Sequence, residues 1–254
     1  MRLVDTHCHL DVAEFDADRA EVLARARDAG VTHIVVPAVA AAGWDGLLAL
    51  CREESGLYPA LGIHPLHVDS HAEADLREMS RLIAEERPVA IGEIGLDYYV
   101  ADIDRERQQR FFGAQLVIAR DAGLPVLLHV RKAHDVVLAT LRRLGVSGGI
   151  AHAFNGSLEQ ARQYLDLGFR LGFGGMLTYE RSTRLRRLAR ELPIEAIVLE
   201  TDAPDMTVAS HRGGRNSPEY LPECLAALAG VRGEDPLYVA ERTTRNACEV
   251  LRLT

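Results

Sequence analysis

Short apolar runs alternate with longer amphipathic stretches along the whole chain. The short runs fall at Leu3 to His7, Ile34 to Pro37, Pro59 to Ile63, Val89 to Glu93, Val126 to Val130, Gly149 to Ala153, Phe169 to Phe173 and Ile197 to Thr201. Apolar on both faces and too brief for helices, they predict eight buried strands. A helical period predicts helices over Asp18 to Ala29, Trp44 to Glu54, Leu76 to Glu86, Arg105 to Ala122, Asp135 to Leu144, Leu158 to Leu167 and Thr183 to Glu191. Gly30, Gly123, Gly145 and Gly168 stand just past four of these, where helices commonly end. The stretch from Pro218 to Leu251 supplies two more helices, one to cover the last strand and one to pack beneath it.

Eight strands alternating with helices in 254 residues predict an α/β fold, a single-domain (β/α)8 TIM barrel, rather than an open doubly wound sheet. No linker or low-complexity segment divides the chain, and the uneven strand spacing shows no internal repeat. With 48% hydrophobic and 26% charged residues the chain is an ordinary soluble one with a sizeable core. Its first ten residues carry acid and histidine where a signal peptide needs a basic start and an apolar run, and no stretch approaches membrane length. A cytoplasmic location without membrane association is expected, and nothing implies an obligate protein partner. Cys8, Cys51, Cys224 and Cys248 form no Cys-x-x-Cys pair and are expected as free thiols. The net charge of -8 argues against a long nucleic-acid footprint, while leaving room for a short contact.

The candidate chemistry gathers at the C-terminal strand ends, where barrels of this kind build their active sites. Strand one runs into Asp5-Thr6-His7-Cys8-His9, whose alternation places Asp5, His7 and His9 on one face. Strand three ends at His64, strand four at Glu93, strand five at His129, strand six at His152 and strand eight at Glu200-Thr201-Asp202. A single strand-end histidine is more often structural than a ligand, but so many on one rim point to metal. Four histidines, a glutamate and an aspartate exceed one tetrahedral site and suit two divalent cations sharing a carboxylate. The imidazoles favour zinc, manganese, iron or nickel over magnesium. The only lysine, Lys132, lies past strand five rather than on strand four, so a carbamylated-lysine bridge is closed and Glu93 is the candidate bridge.

The motifs Asp-Thr-His-Cys-His, Gly-Ile-His-Pro, Gly-Glu-Ile-Gly-Leu-Asp, Pro-Val-Leu-Leu-His-Val-Arg, His152 followed by Phe154, and Leu-Glu-Thr-Asp-Ala-Pro together resemble the TatD family of metal-dependent deoxyribonucleases. The resemblance runs in order over residues 1–254 and implies one amidohydrolase-like barrel, a dinuclear metal centre and hydrolysis of DNA phosphodiesters from the 3′ end. It places metal ligands at His7, His9, Glu93, His129, His152 and Asp202. Asp205-Met206 and Asn216-Ser217-Pro218 depart from the pattern of many members and, with Arg131-Lys132-Ala133-His134-Asp135, resemble a YjjV-like branch.

The implied mechanism has His7 and His9 on one ion, His129 and His152 on the other, Glu93 between them, and Asp202 orienting the nucleophilic water and serving as base. Glu200 and Asp5 lie one layer deeper and orient ligands. His64 is read either as a phosphate donor or as a cap before Pro65, Arg131 as a clamp or an ion-pair partner, and His134 as a possible substrate contact. The loop from Asp205 to Asn216 is read as a closing flap or a solvated loop. His33, His67, His71 and His211 are read as ordinary histidines, and the charge runs Asp102 to Arg110 and Arg184 to Arg190 as solvated helix faces. Three functions fit: a nuclease taking short single-stranded DNA, a hydrolase of small ester, amide or aminoacyl substrates, and a non-catalytic metal-binding barrel.

Overall fold

The computed structural model describes residues 2–253. Among them eight parallel strands form one sheet in sequential order: β1 Leu3–Asp5, β2 Val31–Pro37, β3 Leu57–Leu61, β4 Ala90–Asp97, β5 Val126–Arg131, β6 Gly149–Ala151, β7 Phe169–Phe173 and β8 Ile197–Leu199. Helices α1 Arg19–Asp28, α2 Trp44–Glu53, α3 Glu73–Glu86, α4 Arg105–Ala122, α5 His134–Leu144, α6 Leu158–Asp166 and α7 Thr183–Glu191 separate them, and α8 Leu221–Arg232 and α9 Pro236–Leu251 follow. This is the expected α/β barrel. No described helix is long and apolar enough to cross a membrane, and all four cysteines are free.

The last gap closes beyond the strands themselves. The Thr6 amide donates to Leu199 O at 3.1 Å, the Asp202 amide to His7 O at 2.8 Å and the His9 amide to Ala203 O at 2.8 Å. The segments that follow β1 and β8 therefore carry both the candidate ligands and the barrel's seam.

Inside the barrel, Val4, Val35, Ala60, Ala90, Leu127, Ile150 and Val198 contribute one apolar layer, sealed at the N-terminal mouth by Ala247 and Leu251 of α9. The helix read as packing beneath the sheet is this plug. Burying each of the larger side chains stabilises the fold by about 1.5–3 kcal/mol. The period of two then lifts the next inward residue one rung toward the opposite mouth, so that His129 stands above Leu127, His152 above Ile150 and Glu200 above Val198.

Two boundary differences bear on the site. β4 runs on to Asp97 because β5 continues to Arg131 and the two pair from Ile94 with Leu128 through Asp97 with Arg131. β1, β6 and β8 stop early, and the chain turns sharply: Ala153 and Asp202 have φ of 42° and 59°. Non-glycine residues in this left-handed region are costly and cluster at functional sites.

Candidate metal centre

His7, His9, Glu93, His129, His152 and Asp202 meet at the C-terminal mouth of the barrel. The His7 and His9 Nε2 atoms face each other at 3.2 Å, and Glu93 Oε2 lies 3.2 Å from the first and 3.4 Å from the second. Asp202 Oδ1 is 3.7 Å from both. The other oxygens of the same two carboxylates face another set: Glu93 Oε1 is 2.9 Å from His129 Nδ1 and 3.7 Å from His152 Nε2, while Asp202 Oδ2 is 3.8 Å from His152 Nε2. Glu93 and Asp202 thus each straddle two groups of imidazoles.

These spacings fit a cation. Ligands held tetrahedrally at about 2.0–2.1 Å from one ion stand about 3.3 Å apart. The His7 and His9 Nε2 atoms stand a hydrogen bond apart and present both lone pairs to one point once a cation replaces the proton between them. His9 donates from Nδ1 to Pro37 O at 3.1 Å, leaving its Nε2 lone pair inward. His129 is oriented oppositely: its Nε2 reaches Asp97 Oδ2 at 3.0 Å, so Nδ1 faces Glu93.

The electrostatics agree. Burial opposes the charge on Glu93, yet His7, His64 and His129 around it hold its carboxyl well below the usual range. Burial opposes protonation of His9 and His152 too, but Glu93 against the first and Asp202 and Glu200 against the second outweigh it, pushing them to about 9 and about 10. Burial raises Asp202 to about 6 against the pull of His152 and His9. A buried pocket with this much carboxylate calls for positive charge, and without metal the imidazole protons supply it.

The surrounding residues behave less uniformly. Glu200 accepts the Ala153 amide at 2.6 Å and lies 3.3 Å from His152 Nδ1, an ion-pair distance whose angle falls short of a hydrogen bond. Gly172 makes room for it: a Cβ there would sit 2.1 Å from Glu200 Oε2. Asp5 acts elsewhere than its alternation with His7 implied. Its oxygens accept the Thr201 amide at 2.9 Å, the Thr201 hydroxyl at 2.5 Å and the His7 amide at 3.2 Å, so it fixes the backbone under the ligands rather than an imidazole. Burial raises its pKa to about 7.

His64 Nδ1 accepts the Leu66 amide at 3.2 Å, and burial pushes its pKa down to about 3. The neutral ring therefore carries its proton on Nε2, which donates to His129 Nδ1 at 3.1 Å and lies 3.6 Å from Glu93 Oε1. This ring caps the turn after β3 and also presents a donor to the mouth. Arg131 lines the same mouth. His134 does not: it is buried at the start of α5, with Nδ1 3.2 Å from the Tyr164 hydroxyl and Nε2 3.3 Å from Asn155 Oδ1. The expected substrate contact is corrected accordingly, because the first helical turn points its ring back against α6.

The cavity above the ligands has a volume of about 860 Å³ and is walled by β-strand ends and by the segments after β7 and β8. His67 and Arg184, read as ordinary surface groups, line it. Arg184 donates to Asn155 O and Gly156 O at 2.7 and 2.8 Å, so the start of α7 turns inward and is no simple solvated face. Asp205 and Met206 join the wall, whereas the far end of their loop is tied down: buried Asn216 donates to Thr201 O and Asp205 O at 2.8 and 2.7 Å, and Arg215 pairs with Asp18 at 2.6 Å. The residue that the sequence reading passed over is Asp97. It closes the Gly-Glu-Ile-Gly-Leu-Asp motif, and its position four residues past Glu93 became meaningful only once β4 proved long enough to carry both.

Comparison with known proteins agrees with this geometry. The TatD related DNase family matches residues 4–252. An uncharacterized metal-dependent hydrolase, YjjV of Escherichia coli, is 39% identical over 96% of each chain, and a crystal structure of that TatD homolog superposes with a TM-score of 0.94 over 100% of this chain and 99% of its own. The 3′-5′ ssDNA/RNA exonuclease TatD of Klebsiella pneumoniae is 34% identical over 96% of this chain and 95% of its own. The chain belongs to the TatD related DNase family.

Proposed function

We propose that this TatD-family metal-dependent hydrolase is a deoxyribonuclease that removes nucleotides from the 3′ end of single-stranded DNA. The observation that carries this reading is the double straddle: Glu93 and Asp202 each present one oxygen to His7 and His9 and the other toward His152, with His129 on the Glu93 side. Such a centre suits a phosphodiester, which needs both an attacking and a leaving oxygen stabilised. A cavity of about 860 Å³ is of small-ligand size and takes the end of a strand rather than the side of a duplex. The exonuclease relative supports the same reading.

His7, His9, Glu93, His129, His152 and Asp202 would hold two divalent cations. When bound, these supply a water of lowered pKa and positive charge against the phosphoryl oxygens. Asp202, at the mouth between both groups, takes the proton from the attacking water and passes it to the leaving 3′ oxygen. With His129 Nδ1 committed to a cation, the His64 Nε2–H that pairs with it would be released to donate to a non-bridging phosphoryl oxygen, and Arg131 pairs with the phosphate from the rim. Asp97 and Glu200 keep His129 and His152 aimed inward. Asp205 and Glu14, acids at the mouth, favour a second reading, hydrolysis of small ester, amide or aminoacyl substrates.

Metal-stripped protein incubated with a 5′-labelled single strand, with Mg²⁺, Mn²⁺ or Zn²⁺ added back, decides between them. Stepwise shortening that depends on metal and is lost in Glu93→Ala is expected. Intact DNA alongside hydrolysis of small esters would overturn the nuclease reading.

A further inference from the structure

Just past β4, beside the cavity, one aromatic ring stands out of the surface. Tyr99 is 58% exposed, and two cations lie against its ring: the Arg131 guanidinium carbon at 4.2 Å from the centroid and Lys132 Nζ at 4.7 Å. In a chain of net charge -8 this is where the single lysine has been placed. The preceding residue, Tyr98, has the Arg105 guanidinium 4.6 Å from its ring. Val100, the next residue, is 39% exposed.

The patch is continuous with the metal centre and fixed relative to it. Arg131 belongs both to the patch and to the cavity wall. Buried Asp97 joins the two, because Oδ1 accepts the Tyr99 and Val100 amides at 2.8 and 3.3 Å while Oδ2 lies 3.0 Å from His129 and 3.6 Å from Arg131.

Proteins hold unpaired strands on exposed rings of this kind: a base takes the π-face, and the Arg131 and Lys132 heads that lie over it in the free protein swing off to meet the flanking phosphates. We propose that Tyr99, with Arg131 and Lys132, forms a stacking platform for a base of single-stranded DNA on the 5′ side of the scissile bond. This rests on the nuclease reading for its direction: a strand whose 3′ end enters the cavity passes Arg131, the residue that belongs to both the wall and the patch. A paired base offers no free face here, so the platform also selects single strands over duplexes.

The test uses the full metal-loaded chain. Binding is read from the anisotropy of a fluorescein-labelled, phosphorothioate-linked oligothymidylate, cleavage on its normal diester counterpart, and basal chemistry on bis(4-nitrophenyl) phosphate, which carries no nucleobase to stack. Tyr99→Ala is expected to weaken oligonucleotide binding roughly tenfold or more, as loss of one stacked base does. Tyr99→Trp should restore it, and small-diester hydrolysis should not change. Acetylation of Lys132, the only reactive side-chain amine, should be slowed by bound oligonucleotide. Equal binding by Tyr99→Ala and the parent overturns the platform while leaving exonuclease activity intact. Tyr99-dependent binding without cleavage overturns the nuclease reading but keeps the platform, and a parent protein that binds no oligonucleotide overturns both.

Discussion

Replacing Asp97 by Asn isolates one hydrogen bond in the centre without changing the shape of the side chain. Asp97 Oδ1 accepts two backbone amides, from Tyr99 at 2.8 Å and Val100 at 3.3 Å, so the asparagine carbonyl must keep that place. Its NH₂ is then forced toward His129 Nε2, which stands 3.0 Å from Oδ2 in the parent protein. Two N–H groups cannot face each other. The ring must move its proton to Nδ1, the nitrogen that points at Glu93 Oε1 from 2.9 Å, and a protonated Nδ1 has no lone pair to offer a cation. Loss of a carboxylate behind a metal-bound histidine typically weakens metal affinity or activity 10–100-fold, about 1.4–2.7 kcal/mol. Competition between the protein and a zinc chelator measures the affinity, and thermal melting of the metal-free protein checks that the fold survives. Asp97→Asn protein that binds zinc as tightly as the parent would refute the orientation of His129 argued here.

Gly172→Ala places a Cβ about where Glu200 Oε2 now lies, 2.1 Å away, and is expected to swing that carboxylate off His152, lowering hydrolysis at least about tenfold; unchanged turnover would count against Glu200 as the support of His152. Arg215→Ala removes a bidentate pair with Asp18 at 2.8 and 2.6 Å and a contact 4.5 Å over the Phe15 ring. Because the pair is part-exposed, the expected cost is only about 1 kcal/mol in chemical denaturation. Burial lowers the pKa of His134, so its neutral form is favoured by folding: the contribution is present above the unfolded value near 6.5 and is lost as pH falls through the folded value. Parent protein should therefore lose stability faster than His134→Gln below about pH 6.5, by up to about 1.4 kcal/mol per pH unit, and parallel pH–stability curves would show that His134 titrates normally.

What could be read from the sequence followed from periodicity. The strand Phe169–Phe173 and the ends of α4 and α7 stand where the apolar pattern put them. The clustering of His7, His9, Glu93, His129, His152 and Asp202 was also readable, because a barrel of parallel strands delivers all its C-terminal ends to one mouth. Residues whose surroundings are set by two elements at once were not readable. Asp97 depends on the pairing of β4 with β5, His134 on the ring it meets from α6, and Arg184 on the carbonyls after β6. For Asp5, alternation gave the position but not the partner, because the turn after β8 brought Thr201 to it.

The seam of the barrel has a consequence for how the protein is made. The Asp5 carboxylate meets Thr201 across 196 residues of chain, and His7, His9, Asp202 and Ala203 close the last gap together. During synthesis the early histidines emerge long before the partners that aim them, so a fragment that stops short of Asp202 and Ala203 holds no complete centre. Assembly of the centre therefore waits until the segment after β8 has been made and has folded against the segment after β1.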